Sequence, residues 1–170
     1  VMNILYGGFV AMAQKDLKLI IGYSSSSHMG YVLLGIACLT PLALDGAVLL
    51  MFAHGLMTAL TFALVGHISD GTHTRYLPDL GGLAHQLPFI ATCAVFAAMA
   101  SSGLPGFGNF VAELLVFIGG WDAYPVHIVC GVFGIVITAV YMLRFVRGTF
   151  FGEARSAFAR VPDAVTPFSR

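Results

Sequence analysis

Charge is what this sequence has least of. Its 170 residues include eight Lys and Arg and eight Asp and Glu, a charged share of 9%. An average soluble domain is about 25% charged. So few charges could not cover a soluble fold of this size, which excludes that class. Neither sign is in excess, so no nucleic-acid partner is implied. Cysteine is also scarce. Cys38, Cys93 and Cys130 lie far apart in apolar runs, with no CxxC or His/Cys spacing. They read as small core residues, and no metal or cofactor site is expected in this chain. A signal-peptide pattern is missing as well: Val1 opens directly into an apolar stretch. With an end near Pro162–Arg170 that shows no finish, this reads as a piece of a longer chain.

Apolar residues are abundant, at 58% of the chain with a mean hydropathy of +0.90. A membrane-spanning helix needs about 20 consecutive apolar residues. Leu19–Leu39, Ala47–Ile68 and Val126–Leu143 meet or approach that length. Val1–Ala13 reads as the second part of a span. The run Leu87–Gly120 has 34 residues. As one helix it would be about 51 Å long, against a hydrocarbon core of about 30 Å. Its middle is Gly103-Leu-Pro-Gly-Phe-Gly-Asn109. Pro105 lacks a backbone donor and the glycines weaken helix further. Two half-helices with a non-helical link are expected, the link buried in protein or lining a wet cavity.

Lys15 and Lys18, Arg75, and Arg144, Arg147, Arg155, Arg160 and Arg170 account for all the basic residues. The alternate loops, Thr40–Gly46 and Trp121–Val126, have none. Five crossings make these signs alternate, and the positive-inside rule places the basic regions in the cytoplasm. Trp121 and Tyr124 fit an interfacial belt or simple loop packing. The expected fold is all-α, a polytopic membrane helix bundle with a discontinuous fourth crossing. It occupies residues 1–148, with a cytoplasmic tail over residues 149–170.

Most acids, including Asp45 and Asp70, fall in the expected loops. Glu113 does not. A carboxyl at its depth costs about 2.5–3.5 kcal/mol on insertion scales and marks function by default. The plain alternative is a structural Glu bonded to broken backbone. His28 follows the polar run Ser24-Ser25-Ser26-Ser27 in mid-span, and His54 lies in the first half of the next span. Histidine can relay a proton near neutral pH. An interhelical hydrogen bond is the alternative for each. Taken together, Glu113, His28 and His54 read as a proton relay. His67, His73, His85 and His127 read as interfacial. Tyr23, Thr58 and Thr61 are weaker candidates, and Ala91, Ala94, Ala97, Ala98 and Ser101 read as a close-packing face.

Six pieces, in this order and spacing, resemble the antiporter-like subunits of complex I, NADH:quinone oxidoreductase, and within them the subunit M branch, counterpart of mitochondrial subunit 4. They are Ala13-Gln-Lys-Asp-Leu-Lys18, Tyr23-Ser-Ser-Ser-Ser-His-Met-Gly30, Ala53-His-Gly-Leu56, His73-Thr-Arg75, Leu80-Gly-Gly-Leu83 and Gly103-Leu-Pro-Gly-Phe-Gly-Asn-Phe-Val-Ala-Glu113. Ser26 departs from the branched aliphatic residue usual there. The resemblance implies fourteen helices in two inverted five-helix repeats, of which this chain looks like the second, helices nine to thirteen. It implies that His28 and His54 continue a hydrated polar axis and that Glu113 ends it. The sibling subunits usually have Lys there, so Glu113 favours the M branch. The Glu–Lys pair and further Lys of the first repeat are absent here.

The implied function is a proton-translocating subunit of complex I in a bacterial inner membrane. Its partners would be the other membrane subunits, the lipid bilayer, protons and internal water. It would hold no redox centre of its own. Alternatives are a subunit of a multisubunit cation/proton antiporter or of an energy-converting hydrogenase, and a passive membrane scaffold.

Overall fold

A computed structural model describes residues 1–152 and Asp163. Among these residues six α-helices follow one another: α1 (Met2–Ala13), α2 (Leu17–Cys38), α3 (Pro41–Thr72), α4 (Pro88–Ser101), α5 (Gly108–Gly120) and α6 (Pro125–Phe150). No strand occurs among the described residues; an isolated bridge joins Asp16 and Tyr76. By length and composition, α3 and α6 are each apolar enough to cross a membrane. The 22-residue α2 is long enough, but its four serines lower its hydropathy. The half-helices α4 and α5, with 14 and 13 residues, would each reach only about 20 Å. They make one interrupted crossing, broken between Ser101 and Gly108 as Pro105 and the glycines require. Gly103 and Gly106 there have φ of +64° and +105°, which side chains with a Cβ avoid.

The outer surface is apolar. Phe52 is 73% exposed and Val126 70%, and Leu33, Leu56 and Leu143 are similarly bare. Such a surface suits lipid. Inside, α2 runs through the centre, in contact with α1, α3, α5 and α6. Two apolar clusters occupy its two ends. One gathers Leu17, Ile20, Ile21, Ile68, Leu83 and Phe145; the other gathers Ile4, Tyr31, Val32, Ala47, Val116 and Ile128. The polar residues of α2 lie between them, so the bundle carries a buried polar layer at mid-height.

The basic residues collect at one end. Asp16 caps α2 through Lys18 N at 2.8 Å and faces Arg75 Nε at 3.7 Å. Leu17 N donates to the Arg75 carbonyl, Leu77 N to that of Lys15, and Arg144 to that of Met12. Asp163 accepts from Phe89 N and Ile90 N at the start of α4. At the other end, which has no Lys or Arg among the described residues, Thr40 Oγ1 donates to the Gly119 carbonyl at 2.7 Å, tying the start of α3 to the end of α5.

Several boundaries differ from the sequence reading. The loop expected at Thr40–Gly46 is mostly helix. Thr40 caps Ala43 N and Pro41 occupies the first turn, so α3 starts early and contains Asp45. It also continues through His67 and Asp70 to Thr72, so those two lie on the helix. The last turns of α6 carry Arg144 and Arg147 and run on to Phe150, two residues past the boundary drawn at 148. Glu153, Arg155, Arg160 and Arg170 lie outside the described residues.

The tightest joint is between α3 and α5. A Cβ on Gly46 would lie 2.8 Å from both the Ala112 carbonyl oxygen and the Val116 nitrogen, atoms that cannot rotate away. Gly46→Ala is expected to lower stability by about 1–3 kcal/mol through overpacking. Gly66→Ala, with nothing within 4 Å, should leave it unchanged. Thermal unfolding of the detergent-solubilised full-length protein checks the pair.

Candidate functional site

The three residues singled out by intramembrane position come together. His28 on α2, His54 on α3 and Glu113 on α5 are 0%, 4% and 3% exposed, so none faces lipid. His28 Nε2 is 3.9 Å from Glu113 Oε1. The two imidazole rings stack, with centroids 4.7 Å apart and planes inclined by 23°. The order along the track is His54, His28, Glu113.

Each histidine has a different set of partners. His28 Nδ1 is 2.8 Å from the Ser24 carbonyl oxygen, and Nε2 is 3.1 Å from the Ser101 carbonyl oxygen. Both partners can only accept. His54 Nε2 meets two hydroxyls, Thr58 Oγ1 at 3.0 Å and Ser25 Oγ at 3.2 Å. Those hydroxyls are 3.5 Å apart and can rotate to donate or accept, so they serve His54 in either tautomer. His54 Nδ1 is buried without a partner.

Stacking limits the charge that the pair can carry. Two imidazoliums at 4.7 Å would repel by about 3.5 kcal/mol at an effective dielectric of about 20. The pair therefore holds one extra proton far more readily than two, which suits a hand-over between sites.

Glu113 reaches its place through the break. It sits in the second turn of α5, and its Oε2 is buried and unpartnered. A Cβ on Gly103 would come within 2.7 Å of that oxygen. Glycine there thus supplies both the left-handed turn and the room for the carboxylate. Ser101 Oγ and Asn109 Nδ2 are also buried and unpartnered beside the link. Three buried polar atoms without a protein partner around one break mark it as polar, unlike ordinary core.

Other residues of the layer were not read from the sequence. Tyr141 on α6 is 1% exposed, and its hydroxyl lies 2.8 Å from Ser24 Oγ and 3.4 Å from Thr138 Oγ1. Tyr31 stands 6.1 Å from the His28 ring and donates to the Gly131 carbonyl. The signal available was Thr138 and Tyr141, three apart in an apolar span. Among the weaker candidates, Thr58 touches His54, whereas Thr61 bonds only within its own turn, to the carbonyl and sulfur of Met57. Ser26, the departure from the family pattern, is paired with Asn3, which gives Nδ2 to its carbonyl at 2.6 Å and takes its hydroxyl at 3.2 Å. The hydroxyl is thereby satisfied inside the α1–α2 contact.

Residues 1–138 match the transmembrane family described as NADH:quinone oxidoreductase/Mrp antiporter. The chain is 42% identical over 156 residues to NADH-quinone oxidoreductase subunit M of Pseudomonas aeruginosa, covering 92% of this chain and 31% of that protein. It superposes on a chain of respiratory complex I from Thermus thermophilus with a TM-score of 0.90 and 33% identity, over 95% of this chain and 34% of that one. A chain of the Mrp complex from Dietzia matches with a TM-score of 0.85 and 29% identity, over 96% of this chain and 32% of that one. The chain thus spans about a third of the length of the relatives it matches.

Proposed function

Because the chain belongs to the NADH:quinone oxidoreductase/Mrp antiporter transmembrane family, we propose that it is the proton-handling part of a membrane subunit of NADH:quinone oxidoreductase. The observation that carries this reading is the contact of His28 with Glu113 at 3.9 Å, backed by the stacked His54, in a buried polar layer between two apolar ones. A carboxylate and an imidazole at that separation exchange a proton after a small rotation or through one water. Placing ionisable groups in a bilayer is costly, and a proton path is a use that repays it.

In this reading the chain carries no flavin, iron–sulfur cluster or quinone. Redox energy arrives from partner subunits of the same membrane complex as a change of charge along the polar layer. Glu113 takes and gives up a proton in response, and the histidines deliver it. The end carrying Lys15, Arg75 and Arg144 faces the cytoplasm of a bacterial cell, by the bias of basic residues towards that side.

Inverted membrane vesicles from cells carrying the full-length protein test this. NADH should acidify their interior, and a cysteine placed at Arg75 should label from the bulk phase. The Mrp likeness sets the competing outcome. Cation-driven proton exchange with no response to NADH would make this an antiporter subunit and overturn the proposal.

A further inference from the structure

The Ser101 carbonyl is free to meet His28 for a reason written in the sequence. In a continuous helix it would accept from the N–H four residues on. That residue is Pro105, which has no N–H. The chain turns away at Gly103, and Leu104 N reaches back to Met99 instead. The orphaned Ser101 oxygen is then taken by His28 Nε2 at 3.1 Å.

From this we infer that Pro105 is a positioning residue for His28: by withholding a backbone donor it dedicates the Ser101 carbonyl to the imidazole. This deepens the proton-handling reading and rests on it. The consequence concerns where the ring points and what proton movement does to the fold. Nδ1 and Nε2 both face carbonyl oxygens, which can only accept. A neutral imidazole has one N–H and satisfies one of them; the doubly protonated ring satisfies both. Nε2 is also the nitrogen nearest Glu113. When the doubly protonated ring passes its Nε2 proton to Oε1, it becomes neutral with the remaining proton on Nδ1, and the hydrogen bond that joins α2 to the end of α4 at Ser101 is lost. The groups facing this ring are Glu113 from α5, His54 from α3 and Tyr31 from its own helix. Tyr141 of α6 approaches through Ser24. Proton transfer is thereby tied to the joint between a half-helix and the central helix.

The test uses Pro105→Ala and Pro105→Gly in the full complex. Each restores the backbone N–H with which an α4 continued past Ser101 would claim that oxygen, the alanine with good helix propensity and the glycine without. Pumping per assembled complex should fall about tenfold, the size of losing one hydrogen bond to a charged group. The pH profile of pumping should shift, which a merely structural link would not produce. Wild-type pumping per assembled complex with an unshifted profile, in either variant, overturns the inference. Normal pumping by Glu113→Gln would instead sink the relay reading itself, so the two failures are distinguishable. If neither variant assembles, a high-resolution structure of the wild-type complex decides. Nε2 of His28 within about 3.2 Å of the Ser101 carbonyl supports the inference, and a ring turned to other partners overturns it.

Discussion

Glu113→Gln is expected to leave the complex assembled while proton pumping per assembled complex drops by about a hundredfold or more, the low end for a positioned proton-transfer group. The reason is the contrast between shape and proton chemistry. Glutamine fills the same volume and keeps one carbonyl acceptor, which can stand where Oε1 faces His28 Nε2, and Oε2 has no hydrogen bond to lose. It cannot bind and release a proton in this range. Gly103 leaves room against Oε2 for the isosteric amide. Glu113→Asp should keep part of the function if the link is wet enough for a shorter carboxylate to reach water. The measurement is the initial pumping rate in vesicles, normalised to assembled complex. A purely structural glutamate gives the opposite pattern, with activity tracking assembly and glutamine tolerated in the assembled fraction. That pattern would also favour a passive scaffold.

His28→Phe should be nearly as damaging to pumping and worse for the fold. Phenylalanine preserves the ring that stacks on His54, so packing is largely kept. It removes both nitrogens. The Ser24 carbonyl lies within α2, but the Ser101 carbonyl is the last of α4, and Pro105, four residues on, has no N–H to offer. Leaving that oxygen buried and unpaired costs about 1–3 kcal/mol. Pumping should fall to the level of Glu113→Gln, with a lower unfolding temperature than that variant. The equivalent change at His54 should be milder for stability. Its partners are the Ser25 and Thr58 hydroxyls, which can bond each other at 3.5 Å once the ring is gone. Equal unfolding temperatures for the two histidine variants would count against the carbonyl clamp.

The broken crossing was legible because its cause is local. A proline and three glycines within seven residues leave few alternatives, and the 34-residue run had to be interrupted. His28, His54 and Glu113 stood out because ionisable groups are expensive in lipid. Their contacts were another matter. Helical spacing puts Thr58 on the face of His54, but nothing in it says that this face meets Ser25 and His28 of another helix. The Tyr141–Ser24 bond was hidden for the same reason, and because a hydroxyl in an apolar span bonds its own backbone by default, as Thr61 does. The ends of α3 were misjudged because hydropathy fades before the helix does. Asp45 and Asp70 look like loop residues, yet Thr40 and Pro41 at one end and the left-handed His73 at the other set the true limits. The pairing of Ser26 with Asn3 could not be foreseen from either residue alone.

The central claim is that the Glu113 carboxyl changes protonation during turnover, exchanging its proton with His28. Infrared difference spectroscopy of the complex in membranes, before and after NADH, tests it most directly. A protonated carboxylic acid has its carbonyl stretch at a higher frequency than the stretches of a carboxylate or an amide. The account predicts a signal in that region for the wild type that disappears in Glu113→Gln and weakens in His28→Phe. Identical difference spectra from wild type and Glu113→Gln, at equal amounts of assembled complex, would contradict it.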